Sequence, residues 1–281
     1  MTSLISSERI RIIEARRWVI KVGSALLTND GRGLDFTAVK VLAEEIVALR
    51  LKGREVVLVS SGSIAAGLVR LNLLERPHEV HLLQAAAAVG QSALVQAYEE
   101  ILAPHDVMTA QILLSHADVL ALDRYLNARS TLSTLLDMQI LPIVNENDTV
   151  VTDEIRLGDN DTLAALVANL VDADVLLILT DQDGFMDRDP RTESNAALIH
   201  SAEVHDPRLD DLAGPGGALG RGGMATKLSA ARLAARSGTA TTIANGRLRN
   251  VVTSIAAGDS LGTFLHTERR PQSARKQWLA S

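Results

Sequence analysis

Residues 55–67 read EVVLVSSGSIAAG. Between Glu55 and Ser60 every residue is apolar, without the alternation of a strand that faces water on one side. Glu55–Ser60 is therefore predicted to be a strand buried on both faces. Ser61-Gly62-Ser63 breaks the run, and Ile64–Leu71 reads as helix. A doubly buried strand that passes at once into a helix belongs in a parallel sheet, whose crossover helices cover its faces.

The same grammar extends towards both ends. Trp18–Val22 is a short apolar run closed by Gly23-Ser24. Val39, Leu42, Ile46 and Leu49 place an apolar face on a helix over Phe36–Lys52, which Gly53 stops. A helix over Val80–Leu102, a strand over Val107–Leu113 and a helix over Asp123–Leu136 follow. The next strand, Ile140–Val144, ends in Asn145-Glu146-Asn147-Asp148, and a hairpin is expected over Val150–Leu157. Leu163, Leu166, Val167 and Leu170 mark a further helix face. Val175–Thr180 (VLLILT) is a buried strand running into Asp181. A glycine-rich stretch, Gly214–Gly223, opens onto a helix over Ala225–Arg236, and Thr239–Ala244 is another strand. The predicted fold class is α/β, a three-layer α/β/α sandwich with a mainly parallel central sheet. Ligands of such sheets sit beyond the carboxyl ends of the strands.

Composition removes several classes. The chain has 281 residues, 47% of them hydrophobic and 22% charged, an ordinary globular mix that excludes a disordered chain or a coiled coil. There is no cysteine, hence no disulfide framework, thiolate zinc site or cysteine nucleophile. A net charge of -6 and 2% aromatics give neither a basic footprint nor stacking platforms for nucleic acid. The longest run without formal charge, Val80–Tyr98, carries Gln84, Gln91, Ser92 and Gln96 and reads as an amphipathic helix rather than a membrane span. The amino terminus has charges where a signal peptide needs an apolar run, so a cytoplasmic location is expected.

Four polar, glycine-bearing loops follow predicted strands. Lys21, before Gly23, lies inside an apolar strand, where an unpartnered ammonium is costly. Either it is an edge-strand lysine reaching water or it is functional. Ser60-Ser61-Gly62-Ser63 suits an anion or simple helix capping. Asn145-Glu146-Asn147-Asp148 and Gly158-Asp159-Asn160-Asp161 suit an amino acid's ammonium group or the organisation of a metal or of lysines, or else Asx turns and caps. Gly220-Arg221-Gly222-Gly223-Met224-Ala225-Thr226-Lys227 formally matches a dinucleotide fingerprint, but lacks the preceding strand and the later acid. It is not a Walker A loop either, since no glycine precedes Lys227. A lysine in the first turn of a helix opposes the dipole, which a bound anion explains better than packing. Asp183, Asp187 and Asp189 lack calcium-loop spacing. The histidines do not cluster.

The stretches VIKVGSALLT, VSSGSIAAG, LPIVNENDTV, GDNDTLAALVA, LLILTDQDG and GRGGMATKL run in order from about Trp18 to Trp278. In them the chain resembles the amino acid kinase family and, within it, the glutamate kinases. The resemblance implies transfer of the γ-phosphoryl group of ATP to the side-chain carboxylate of L-glutamate, with Mg²⁺, as the entry to proline synthesis. It implies a kinase domain over 18–266, with glutamate bound before about residue 174 and ATP from about 175. Residues 1–17 are then an extension and 267–281 a tail. It assigns charge neutralisation to Lys21 and Lys227, and their orientation to Asp161. Ser61, Asn145, Asp148 and Asn160 fall at glutamate-binding positions. Lys21, Gly23, Gly62, Thr180, Asp181, Arg221, Gly222, Gly223, Met224, Ala225, Thr226 and Lys227 fall at the ATP site. No protein ligand for the metal is named. Homo-oligomers, a dimer or tetramer, are common in the family, and hand-over of the acyl phosphate to glutamate-5-semialdehyde dehydrogenase is a further expectation. Many relatives carry a C-terminal domain of an RNA-binding type; this sequence stops at Ser281, so no nucleic acid partner is expected. A sibling kinase with another carboxylate or carbamate acceptor, and a non-enzymatic proline or glutamate sensor, are the competing readings.

Overall fold

The computed structural model of the chain describes residues 7–29, 32–73, 75–150, 160–188, 193, 195–214 and 223–267. The amino-terminal half contains α1 (Ser7–Glu14), β1 (Arg17–Val22), α2 (Ser24–Leu27), α3 (Phe36–Leu51), β2 (Glu55–Ser60), α4 (Ser63–Arg70), α5 (Val80–Leu102), β3 (Thr109–Leu114), α6 (His116–Leu120), α7 (Leu122–Asp137) and β4 (Leu141–Glu146). The remainder contains α8 (Asn160–Leu170), β5 (Val175–Thr180), β6 (Ser201–Glu203), α9 (Arg208–Ala213), α10 (Met224–Ala235), β7 (Ala240–Asn245), α11 (Val251–Ala256) and β8 (Thr263–His266).

The strands form one sheet in the order β3-β4-β2-β1-β5-β7-β8-β6. Every neighbouring pair is parallel except β7 and β8. Trp18, Ile20 and Val22 face the layer of α3, α5 and α11, while Val19, Val57 and Ile178 face α7, α8 and α10. This is the expected three-layer sandwich. β1 lies mid-sheet; the chain passes from it to β2, β3 and β4 on one side and then crosses back to β5 on the other. Such a reversal opens a crevice at the carboxyl ends of the strands.

Local differences have local causes. β4 continues through Asn145 and Glu146, because β3 pairs Leu113 with Asn145 and Leu114 with Glu146. Burial of both residues follows from that ladder. β3 starts at Thr109, not Val107. Ser115 and Asp118 form a capping box that starts a separate short helix, α6, ahead of α7. The hairpin expected over Val150–Leu157 lies, apart from Val150, outside the described residues. α1 docks on the body: Ile12 is fully buried, Arg9 donates to the carbonyls of His200 and Asp259, and Arg11 to those of Gly238 and Thr267.

α4 and α5 cross with their backbones in close approach. A Cβ on Gly90 would lie 1.7 Å from the Ser63 carbonyl oxygen, and one on Gly67 1.7 Å from that of Ala86. Both are backbone atoms, so the helices would have to separate. Gly90→Ala is expected to destabilise the protein by about 1–3 kcal/mol, as overpacking of a tight contact does. An unchanged urea midpoint in this variant would show that the crossing gives way freely.

Candidate active site

β1, β2, β4 and β5 end at one edge of the sheet, where α4, α8 and α10 begin. Lys21 pairs in register with Val59 of β2 and Ile178 of β5. It is therefore on a central strand with 6% exposure, which corrects the edge-strand alternative. Its partner is Asp161, in the first turn of α8: Lys21 Nζ lies 2.7 Å from Asp161 Oδ1. The second carboxylate oxygen takes Lys227 Nζ at 3.2 Å and lies 3.2 Å from the Thr226 hydroxyl. Thr226 also lies 2.8 Å from the Gly223 carbonyl, which fastens the start of α10.

Two ammonium groups thus share one carboxylate, and all three are buried. Burial raises the Asp161 pKa, but the charges and hydrogen bonds of Lys21 and Lys227 outweigh it, and the acid is held below the usual carboxylate range. For Lys227 burial wins: its pKa falls despite Asp161, and the like charge of Lys21 adds to the fall. The helix dipole favours Asp161 at the start of α8 and opposes Lys227 at the start of α10. The structure supplies Lys227 with an internal counter-charge, Asp161, the residue to which the resemblance gave the orientation of both lysines.

Beside this cluster runs a chain of side-chain amides. Asn160 Nδ2 donates to Ser61 Oγ at 2.7 Å and to Asn145 Oδ1 at 3.0 Å. Asn145 Nδ2 donates to Gln91 Oε1 at 2.8 Å and Ser63 Oγ at 3.2 Å. Asp148 also hydrogen-bonds Ser63. Burial above all, and then the charge of Glu146, push its pKa up to about 7, against the pull of Ser63 and Arg76. Glu146 is itself buried, 3.6 Å from His116 Nδ1. Gly62 precedes α4 at φ +107°, the left-handed region that favours glycine.

At the end of β5, Thr180 is buried and lies 3.2 Å from Asp181 through its hydroxyl. The Gly246 amide donates to the Thr180 carbonyl at 2.8 Å. Asp181 is exposed and exerts its charge on Lys227. Gly23 precedes α2, and a Cβ there would stand 3.6 Å from Lys21 Nζ. Gly223 precedes α10, with Met224 and Ala225 in its first turn. Arg221 and Gly222 lie outside the described residues.

The structure therefore brings Lys21, Asp161, Thr226 and Lys227 into one cluster, and Ser61, Asn145 and Asn160 into the adjoining one. Gln91 is the residue the sequence reading left out of the site, and Ser63 was named there only as part of its loop. A glutamine inside the alanine-rich run of α5 was the available signal. Among the described residues no group of three or more His, Asp or Glu is placed to hold a metal ion, and no helix is long and apolar enough to cross a membrane.

A model of the amino acid kinase family matches residues 16–245. The chain is 60% identical to a glutamate 5-kinase of Pseudomonas paraeruginosa, over 97% of this chain and 73% of the relative. It has the same identity and coverage with a glutamate 5-kinase of Stutzerimonas stutzeri. Among solved structures, the UMP kinase of Bacillus anthracis superposes with a TM-score of 0.62 at 16% identity, covering 91% of this chain and 97% of that one. The UMP kinase of Ureaplasma parvum gives 0.61 at 18% identity, covering 90% and 99%. At such identities the two structures speak for the fold alone.

Proposed function

The chain belongs to the amino acid kinase family, and on that footing we propose that it acts as a glutamate 5-kinase, moving the γ-phosphoryl group of ATP to the side-chain carboxylate of L-glutamate. A carboxylate oxygen bonds to the γ-phosphorus, the bond to the ADP oxygen breaks, and ADP and an acyl phosphate leave. The product is the entry to proline synthesis. The observation that carries the chemistry is the sharing of Asp161 by Lys21 and Lys227.

The acceptor carboxylate is ionised at neutral pH, so no general base is needed. What the reaction needs is two anions held together and charge stabilised on the group in transit. Lys21 and Lys227 bring positive charge to that point, and Asp161 fixes both ammonium groups before substrate arrives, so no reorganisation is required. Thr226 ties α10 to the same carboxylate. In this reading Ser61, Asn145, Asp148 and Asn160 hold glutamate, and the segment to about residue 174 forms its side of the crevice. Gly23, Gly62, Thr180, Asp181 and Arg221 to Lys227 take ATP, mainly from the segment after about 175. Magnesium would travel on the ATP phosphates. A cytoplasmic homo-oligomer that passes its acyl phosphate to a dehydrogenase completes the proposal. A free amine close to an acyl phosphate invites cyclisation, and a longer product lifetime in the presence of the dehydrogenase would support hand-over.

The test is formation of γ-glutamyl hydroxamate from L-glutamate, Mg-ATP and hydroxylamine. A product requiring all three supports the reading; its absence from folded protein that binds ATP overturns it.

One pH effect follows. If Asp148 receives the substrate ammonium, only its carboxylate form captures glutamate. With its pKa raised to about 7, kcat/KM for glutamate should rise with pH through that value and then level off. Asp148→Asn should lower kcat/KM and flatten this limb. A limb that persists in the variant would assign the titration to another group.

A further inference from the structure

We infer that Gln91 is a specificity residue of the acceptor site, donating from Nε2 to the α-carboxylate of the amino acid substrate. The inference rests on the proposed kinase reading and deepens it.

The amide chain leads to it by counting. Asn145 Nδ2 spends both hydrogens, on Gln91 and Ser63, and its oxygen takes Asn160. Asn160 Nδ2 spends both hydrogens as well, on Asn145 and Ser61. Turning Gln91 alone would set its nitrogen against that of Asn145, two donors face to face. With Asn145 and Asn160 placed as they are, the carbonyl of Gln91 faces inward and its amine ends the run, while Asn160 Oδ1 is the buried acceptor left over among the described residues at the other end. Gln91 has 6% exposure, and its Nε2 is a buried donor without a partner among the described residues. A buried donor left unpaired costs about 1–3 kcal/mol, so its position calls for an acceptor.

The setting matches a zwitterion. Gln91 lines a cleft of about 210 Å³ between α5 and the end of β4 with the residues after it, together with Ser92, Gln111, Glu146, Asp148 and Thr149. That is room for a small metabolite rather than a nucleotide. Asp148 offers a carboxylate for an ammonium, and Gln91 offers an N–H for a carboxylate on the same carbon. The reacting carboxylate then points along the amide chain towards Asn160, whose neighbour Asp161 holds the two lysines.

Gln91→Glu keeps the acceptor that Asn145 needs and the side-chain size, but puts an oxygen where the donor stood. Titration calorimetry with L-glutamate and steady-state kinetics would be run on the full chain and the variant. The expected result is a Kd and a KM for L-glutamate raised about 10- to 100-fold, the worth of a hydrogen bond to a charged group. The KM for ATP should not move. Discrimination against 4-aminobutyrate, which is glutamate without its α-carboxylate, should narrow in parallel. Gln91→Met, which removes the donor without adding charge, should narrow it too and serves if the first variant folds poorly. Unaltered glutamate affinity and unaltered discrimination in these variants would overturn the inference. Failure of the unmodified protein to form the hydroxamate would instead overturn the kinase reading, and its calorimetry with glutamate still decides the role of Gln91.

Discussion

Replacing Asp161 by asparagine is expected to cost the protein both stability and activity. The carboxylate is 1% exposed and is the ion-pair partner of two buried ammonium groups, at 2.7 and 3.2 Å. Asparagine fills the same space but leaves Lys21 and Lys227 close together without that counter-charge. Removing one partner of a buried ion pair costs about 3–5 kcal/mol. The Lys227 pKa, already lowered by burial and by Lys21, should fall further once Asp161 no longer raises it. The variant would relieve the strain by releasing a proton, and would then bring less charge to the phosphoryl group. Turnover should fall on the order of 100- to 1,000-fold, the range for loss of preorganised charge stabilisation. Chemical denaturation and turnover of the same preparation check both halves. A variant with the parent's unfolding midpoint would show that the lysines do not depend on Asp161.

Lys227→Ala is expected to divide the two effects. Asp161 keeps Lys21 at 2.7 Å, and the like-charge contact between the lysines disappears. The fold should survive with a small cavity near the start of α10. Activity should not: one of two charges facing the transferred group is gone, and turnover should drop about 100-fold or more. The comparison separates holding the site together from stabilising the reacting charge. Turnover near that of the parent would remove Lys227 from the reaction.

The interior of the fold was readable because its strands are buried on both faces. Glu55–Ser60 and Val175–Thr180 were bounded from their apolar runs alone, and the structure has both with those ends. α5 was likewise legible from Val80 to Leu102. The outer pieces were not. β6 and β8 span three and four residues, too few to show a period. Their partners are distant in sequence, and β8 runs antiparallel to β7, which no local pattern announces. The end of β4 was misjudged because Asn145 and Glu146 read as turn residues, yet the β3 ladder carries them as strand.

The site divides along the same line. The sequence by itself determined the alternation of strand and helix, the polar loops at the strand ends, and the need of Lys21 for a partner. Burying an ammonium in an apolar strand is too costly to leave uncompensated, so a lone lysine among valines and isoleucines states the problem. It does not name the solution. The resemblance pointed to Asp161 for both lysines, but only the tertiary structure decided how one carboxylate serves them, one oxygen to each, and that Gln91 continues the amide chain from Asn145. Hydrogen bonds and ion pairs are made over a few ångströms in space, between side chains whose separation along the chain leaves no local trace. The sheet brings the ends of β1 and β4 and the first turns of α8 and α10 to one place, and their chemistry begins there.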